Sequence, residues 1–486
     1  MSRSLGLGRG TLYLMIVQVV FLASGYIIHA GLGRLLGPAS YGIFGVVIYL
    51  VTLSQDFVRA GIPQAASKYI AEDNNKVGAI KNKAVKLQLI YALLVFLVYF
   101  LLADSLADLL GDPSLSLYIR ISAFIIPVGA FFALYTNFLN GLRWHDKQAL
   151  VLCSYAIAKA AGVFALVFLG YAVYGAIFGY WIGPMVGFAL GWYYFKGIKG
   201  EGDGRNDFDQ KKIINFAIPV ILFSISFTFL LSAGLFFVKM ILMENVQVGY
   251  YTAAFILSQV PFHILSALGF ALFPAISGST SINNVKQTEN YIAGSMRYLL
   301  MFLIPIILLV SATSESLVSL FYSSAYLAAS LSLSILVFGL GFFTILSIMT
   351  TIITASGRPR VSMLIVFVLV PISIVFNLFL IPIYQLEGAA LATTVTSLLG
   401  MCLAAEYVFK RFKTLVDAKS FVKICVASII IYVMALRLSL PLVYLPVLYV
   451  FLFALYFGIL FLMKELSEED LETFKRIIGG GDRGCR

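Results

Sequence analysis

Apolar stretches of about twenty residues, each long enough to cross a hydrocarbon core of about 30 Å at 1.5 Å per residue, recur from one end of this chain to the other. Fourteen can be drawn, at roughly 11–33, 41–66, 87–110, 117–140, 148–169, 172–195, 213–242, 248–277, 291–312, 327–355, 361–383, 388–409, 420–437 and 442–463. Only 12% of the 486 residues are charged, against about 25% in a soluble chain. Lipid offers no partner to a bare backbone amide, so such segments must be helices that satisfy their own hydrogen bonds. The expected fold class is an all-α integral membrane protein of about fourteen helices with short loops. The first span is longer than the apolar core of a signal peptide, about 7 to 15 residues, and is expected to stay in place.

A formal net charge of +11 would suit a nucleic-acid binder, but the distribution of the charge assigns it to topology. When loops alternate between the two sides and the N-terminus is placed inside, the cytosolic segments hold 27 of the 34 Lys and Arg residues. Arg34, Arg120 and Arg437 fall on the opposite side, and four basic residues lie within spans. This positive-inside bias predicts a protein of the cytoplasmic membrane with both termini in the cytosol, and no nucleic-acid partner. The four cysteines, Cys153, Cys402, Cys425 and Cys485, show no paired spacing. His29, His145 and His263 show no ligand spacing, so neither a metal nor another cofactor is expected. The glycine run Gly31 to Gly37 follows a membrane helix instead of a strand, and no P-loop lysine motif occurs. The acidic run Glu468 to Glu472 reads as a solvated end.

A shift of roughly 207 to 216 residues lays the chain on itself. Tyr41-Gly42-Ile43-Phe44, opening the second span, matches Val248-Gly249-Tyr250-Tyr251, opening the eighth. Asn140-Gly141-Leu142-Arg143 finds Ser356-Gly357-Arg358-Pro359. The sixth span carries Gly175, Gly179, Gly183, Gly187 and Gly191, four apart on one helix face, and the twelfth carries Gly388, Ala392, Thr396, Gly400 and Ala404 at an offset of 213. Small residues so spaced let helix backbones approach closely in lipid. Six spans is an even number, so the copies run parallel about an axis along the membrane normal. The expected domains are a six-helix lobe over 1–212, a second over 213–410, and a C-terminal pair of helices with a tail over 411–486. Two such lobes rocking about a central cavity are the architecture of a transporter.

The segment Leu32-Gly33-Arg34-Leu35-Leu36-Gly37-Pro38-Ala39-Ser40-Tyr41-Gly42-Ile43-Phe44, with Ala60-Gly61-Ile62-Pro63-Gln64 and Tyr69-Ile70-Ala71-Glu72, resembles a known family. It is similar to the polysaccharide-transport branch, which includes O-antigen-unit flippases, of the multidrug/oligosaccharidyl-lipid/polysaccharide flippase superfamily. The resemblance implies two lobes that move a phosphate- or pyrophosphate-linked isoprenoid oligosaccharide from the cytosolic to the outer leaflet for the cell envelope. Its implied partners are that lipid-linked cargo, membrane lipid and a coupling H⁺ or Na⁺. So polar a head group cannot cross hydrocarbon unaided, so a hydrated, charge-lined cavity is required.

An ionisable side chain at mid-membrane costs roughly 2.5 to 3.5 kcal/mol on insertion scales, so each one asks for a reason. Five occur: Asp56, Arg59, Lys159, Lys239 and Arg297. Lys239 and Arg297 lie near span ends and are able to snorkel. Lys159 stands near the middle of its span and is expected to face the cavity. Asp56 and Arg59, three apart, share a face, where they either pair with each other or serve the cavity, Arg59 for substrate and Asp56 for a coupling ion. Arg59, Lys159, Lys239 and Arg297, with the deep amides Asn137 and Gln55, are the candidate substrate-binding set, and Asp56 is the coupling-ion candidate. An excess of deep cations suits a phosphate-bearing cargo. Two alternatives stand beside the flippase: a cation-coupled multidrug exporter of the same fold, which would want acidic cavity residues, and a membrane glycan polymerase or ligase. The enzyme would want catalytic groups on a large outer loop, whereas the longest here, 313–326, carries only Glu315 as a charge. A transporter with no catalytic residues is therefore the expectation.

Overall fold

In a computed structural model the chain is helical nearly throughout, with no strand among the described residues, which are 7–197, 208–282, 284–438 and 441–466. Cys485 and the Glu468 to Glu472 run lie outside them.

The first helix, α1 (Leu7–Arg59), bends at Gly37, whose φ of 72° precedes Pro38, and so supplies two spans. It stops before Gly61, at φ 73°, and the short α2 (Ile62–Glu72) restarts with Pro63 in its first turn. Then come α3 (Val77–Leu101), the short α4 (Ala103–Leu109), and α5 (Leu115–Ala123), which with α6 (Ile125–Gly141) makes one crossing. A five-residue widening of the helix around Gly170 separates α7 (His145–Leu166) from α8 (Ala172–Phe195). Beyond α9 (Gln210–Leu242), the eighth span is broken into α10 (Asn245–Ser258), α11 (Val260–Leu265) and α12 (Ala267–Ser281). Next are α13 (Val285–Ala312), the short α14 (Ser314–Phe321) and α15 (Ser330–Ala355). A 54-residue α16 (Pro359–Phe412) breaks at Gln385 and supplies two spans, followed by α17 (Ala418–Arg437) and α18 (Leu445–Leu462). Counted across these breaks, fourteen crossings are present among the described residues, as the apolar pattern predicts.

Pro38, Pro63 and Pro261 stand at breaks, but proline alone does not make one. Pro184, Pro219, Pro274, Pro305 and Pro371 all lie inside continuous helices, a placement that helices packed in a membrane bundle tolerate.

The chain divides into two compact units. The first comprises Met1–Ile256, Phe321–Ser332 and Met363–Thr396, and the second Leu257–Leu320, Leu333–Ser362 and Ser397–Arg486. Within the first unit, the five glycines of α8 lie against α7 and α6. A Cβ at Gly183 would stand 2.7 Å from Lys159 Cβ and 2.9 Å from the Tyr155 carbonyl oxygen, and one at Gly187 would stand 2.5 Å from the Phe132 ring. Also in this unit, a Cβ on Gly42 would collide with the Asn245 carbonyl, and one on Gly249 with the Pro38 carbonyl. At the repeat offset of 207, Gly42 corresponds to Gly249 and Pro38 to Asn245, so the contact is reciprocal. Within the second unit, α17 and α18 pack on α13 through Met301, Leu309, Ile424, Ile431 and Leu452. There the Tyr456 hydroxyl donates to the Met301 carbonyl at 2.8 Å.

Candidate functional site

The end of α1 carries three of the deep polar residues, and the way the helix ends places them. Where regular hydrogen bonding lapses before Gly61, the Val58 carbonyl accepts instead from the fully buried Gln88 amide of α3 at 2.7 Å. One turn earlier, Gln55 is buried with its amide against Gly129 of α6. Gln55 Oε1 accepts from Arg59 Nη1 at 2.8 Å, which fixes the guanidinium on the inner side of α1. Arg59 also stands in the last helical turn, where a cation complements the helix dipole.

Opposite Arg59, α7 presents Tyr155 and Lys159 one turn apart. The Tyr155 ring is fixed by stacking between Phe132, 4.6 Å centroid to centroid, and Phe21, at 5.4 Å. Its phenol adjoins both Lys159 and Arg59. Lys159 Nζ lies 4.9 Å from the Tyr180 ring centroid and 5.3 Å from that of Tyr155, so ring faces solvate the ammonium in place of a carboxylate. Among the described residues neither Arg59 nor Lys159 makes an ion pair. Asp56 is not within ion-pair distance of Arg59: its carboxylate turns away and accepts from the Thr228 hydroxyl of α9. Of the two readings open from the sequence, the i, i+3 ion pair is replaced by an interhelical bond, so that Arg59 has Asp56 nearby on its helix but no carboxylate within ion-pair distance.

Above this pair, His29 Nδ1 lies 3.0 Å from the Tyr41 hydroxyl, which lies 3.1 Å from that of Tyr322. Tyr326 donates to the Gly33 carbonyl at 2.8 Å. This buried phenol network holds the segment around residues 321–326 on α1.

The remaining candidates are engaged elsewhere. Lys239 does not snorkel: it is fully buried, and its ammonium donates to Asp112 Oδ2 at 2.8 Å and Asn245 Oδ1 at 2.6 Å. Burial pushes the Asp112 carboxyl up, but hydrogen bonds from Lys239, Ser114 and Asn245 outweigh it and hold the group at about 2. In the second unit Arg297 Nε donates to Glu465 Oε1 at 2.9 Å and its Nη2 to the Glu465 carbonyl, while Lys423 lies 3.3 Å from Glu465 Oε2. Burial raises the Glu465 carboxyl, and hydrogen bonds from Arg297, Ser420 and Lys423 bring it below the usual carboxylate range. Asn137 Nδ2 returns to its own helix, donating to the Ala133 carbonyl at 2.9 Å. The structure therefore groups Arg59, Gln55 and Lys159, ties Asp56 of the same helix α1 to Thr228 of the neighbouring α9, and places Lys239 and Arg297 in ion pairs. Tyr155, Tyr180, Gln88 and Thr228 were not singled out from the sequence; the i, i+4 spacing of Tyr155 and Lys159 is the one signal that pointed to any of them. No cluster of three His, Cys, Asp or Glu residues suited to a metal ion occurs among the described residues.

Fourteen apolar crossings define a multi-pass membrane protein. The chain belongs to the polysaccharide biosynthesis protein family, which it matches over residues 7–280. It is 22% identical over 458 residues to the lipid II flippase MurJ of Bacillus subtilis, covering 84% of each chain. Its fold is similar to that of a lipid II flippase MurJ in an inward closed conformation, with a TM-score of 0.75, 15% identity and coverage of 93% of this chain and 97% of the other. It is also similar to a multidrug resistance MATE family transporter of the MOP superfamily in an inward-facing conformation, with a TM-score of 0.68, 15% identity, and 82% and 98% covered.

Proposed function

We propose that this protein is a flippase that carries a phosphate-linked isoprenoid oligosaccharide across the cytoplasmic membrane, with Arg59 and Lys159 holding the phosphate. The observation that carries this reading is the pair of cations flanking Tyr155 with no carboxylate paired to either among the described residues. A mid-membrane cation without a direct ion-pair partner is costly, and a cargo that brings its own negative charge lowers that cost. Arg59, held by Gln55, offers its guanidinium fork to a phosphate, and Lys159 offers a point charge beside it. The repeats at 1–212 and 213–410 serve as the moving lobes, with 411–486 supplying two extra helices that pack on α13 of the second. Asp56, the acidic group of the site, is the candidate to bind a coupling H⁺ or Na⁺ when it leaves Thr228.

Proteoliposomes containing the protein and a fluorescent polyprenyl-phosphate-linked glycan test the proposal directly. The wild type is expected to move the glycan between leaflets, while Arg59→Gln and Lys159→Met each lower the rate by roughly a hundredfold with unchanged thermal unfolding. Full flipping by both variants removes the site assignment. A wild type that leaves the glycan in place but expels a lipophilic cation assigns the fold to drug export.

A further inference from the structure

On the other side of α1 from the charged site, the first unit carries a long apolar trench. One part, of about 440 Å³, lies between the end of α1, α3 and α9, and is lined by Phe57, Ile62, Tyr91, Leu94, Ile218 and Leu222 among others. The other, of about 430 Å³, shares Phe57, Tyr91 and Leu94 and continues along α3 past Val98 to Leu102. From Leu87 to Leu102 the trench follows about 22 Å of helix at 1.5 Å per residue. Apart from Ser54, Tyr91 and Tyr99, its walls are aliphatic side chains and Phe57.

Apolar surface is expected wherever a helix meets lipid; a concave trench is not. Helices in a bilayer associate by close packing, and a channel this wide between α3 and α9 forgoes it. Its position adds a second argument. Ser54 and Phe57 of α1 form its floor, whereas Gln55 and Arg59 of the same helix face the charged interior. A single helix thus separates the trench from the phosphate site. The seam between α1 and α9 is bridged by Asp56 and Thr228, and Ile225, one turn from Thr228 on α9, lines the trench.

We propose, resting on the flippase reading above, that this trench holds the polyisoprenoid tail of the cargo while its phosphate reaches Arg59. An amphiphile whose head must enter a charged cavity needs its tail held within reach of that cavity and still in contact with lipid. A trench open to the bilayer, with a cation two residues from its Phe57 floor, meets both requirements. The same chemistry is offered to the acyl chains of bulk phospholipid, and the experiment separates the two occupants.

Leu94 and Ile218 are more than half exposed, so filling the trench there with Leu94→Trp or Ile218→Trp leaves the helix packing intact. Flipping is measured in proteoliposomes for one glycan phosphate carried on a long polyprenyl chain and on a two-isoprene chain. Both variants are expected to slow the long-chain cargo by roughly tenfold and to leave the short-chain cargo unchanged. Leu93→Trp, on the same helix but outside the trench, leaves both rates unchanged. A long-chain rate unaffected in Leu94→Trp and Ile218→Trp, or an equal fall for both cargoes, overturns the assignment. A photoreactive residue in place of Leu94 supplies an independent reading in competition between polyprenyl phosphate and a labelled phospholipid. Preferential capture of the polyprenyl probe supports the proposal, and equal capture makes the trench a seat for bulk lipid. Should the wild type flip no glycan, the flippase reading fails and the capture experiment still decides the trench.

Discussion

Two lysines inside apolar helices of the first unit are treated in opposite ways. Lys239 is fully buried, and its charge is matched by Asp112 and Asn245. Lys159 has ring faces and the phenol of Tyr155 for neighbours, and no carboxylate in ion-pair range. Removing one partner of a buried ion pair leaves the other uncompensated, so Lys239→Met is expected to destabilise the protein by about 3 kcal/mol. Adding Asp112→Asn is expected to restore part of that loss, read as a coupling in a double-mutant cycle of thermal or denaturant unfolding. The pH dependence follows the same pair. Asp112 titrates below its ordinary value when folded, so its contribution is whole above about 4 and is lost as the pH falls toward about 2. Unfolding midpoints measured in detergent across that window are expected to drop for the wild type and to stay flatter for Asp112→Asn. Lys159→Met, by contrast, is expected to leave stability unchanged and to lower the flipping rate by roughly a hundredfold. The sequence ranked the two by depth, Lys159 at mid-span and Lys239 near a span end, but not by partner: Asp112 is 127 residues from Lys239 in the chain, and no spacing rule brings the two together.

At the scale of a helix, the four-residue glycine stripe of α8 was legible and its partner was not. Gly183 lies on the backbone of Tyr155 and on Lys159 itself, so the stripe positions the cationic site as well as the helix pair. Gly183→Ala is expected to lower stability by about 1 to 3 kcal/mol and, by displacing α7, to reduce flipping more than the loss of folded protein explains. Thermal shift and transport rate measured on the same preparation separate the two effects, and a variant equal to wild type in both removes the link. The number of spans could be read because a run of twenty apolar residues has few alternatives in lipid. The breaks were harder. Proline does not mark them reliably: α8, α9 and α13 continue through theirs, and two of the sharp changes fall at Gly37 and Gln385. Gln385 adopts a positive φ without being glycine, and no local signature announces that. The i, i+3 pairing of Asp56 with Arg59 failed for a related reason: Thr228, on another helix, competes for the carboxylate, and only tertiary structure brings it there.

Across the whole molecule, the most informative contact is the crossing at Gly42 and Gly249. Each glycine meets a carbonyl from the other helix, and the two carbonyls occupy equivalent repeat positions. Equivalent surroundings imply equivalent responses, so Gly42→Ala and Gly249→Ala are expected to lower the unfolding temperature by similar amounts. A large effect at one and none at the other, seen by thermal shift, argues against the equivalence. A contact in which each half offers its counterpart the same two positions is isologous, the kind that two identical chains make about a two-fold axis. The crossing therefore has the form of a homodimer interface enclosed within one polypeptide. If the chain were divided between Gly197 and Phe208 and the two fragments co-expressed, they should reassemble without a covalent link.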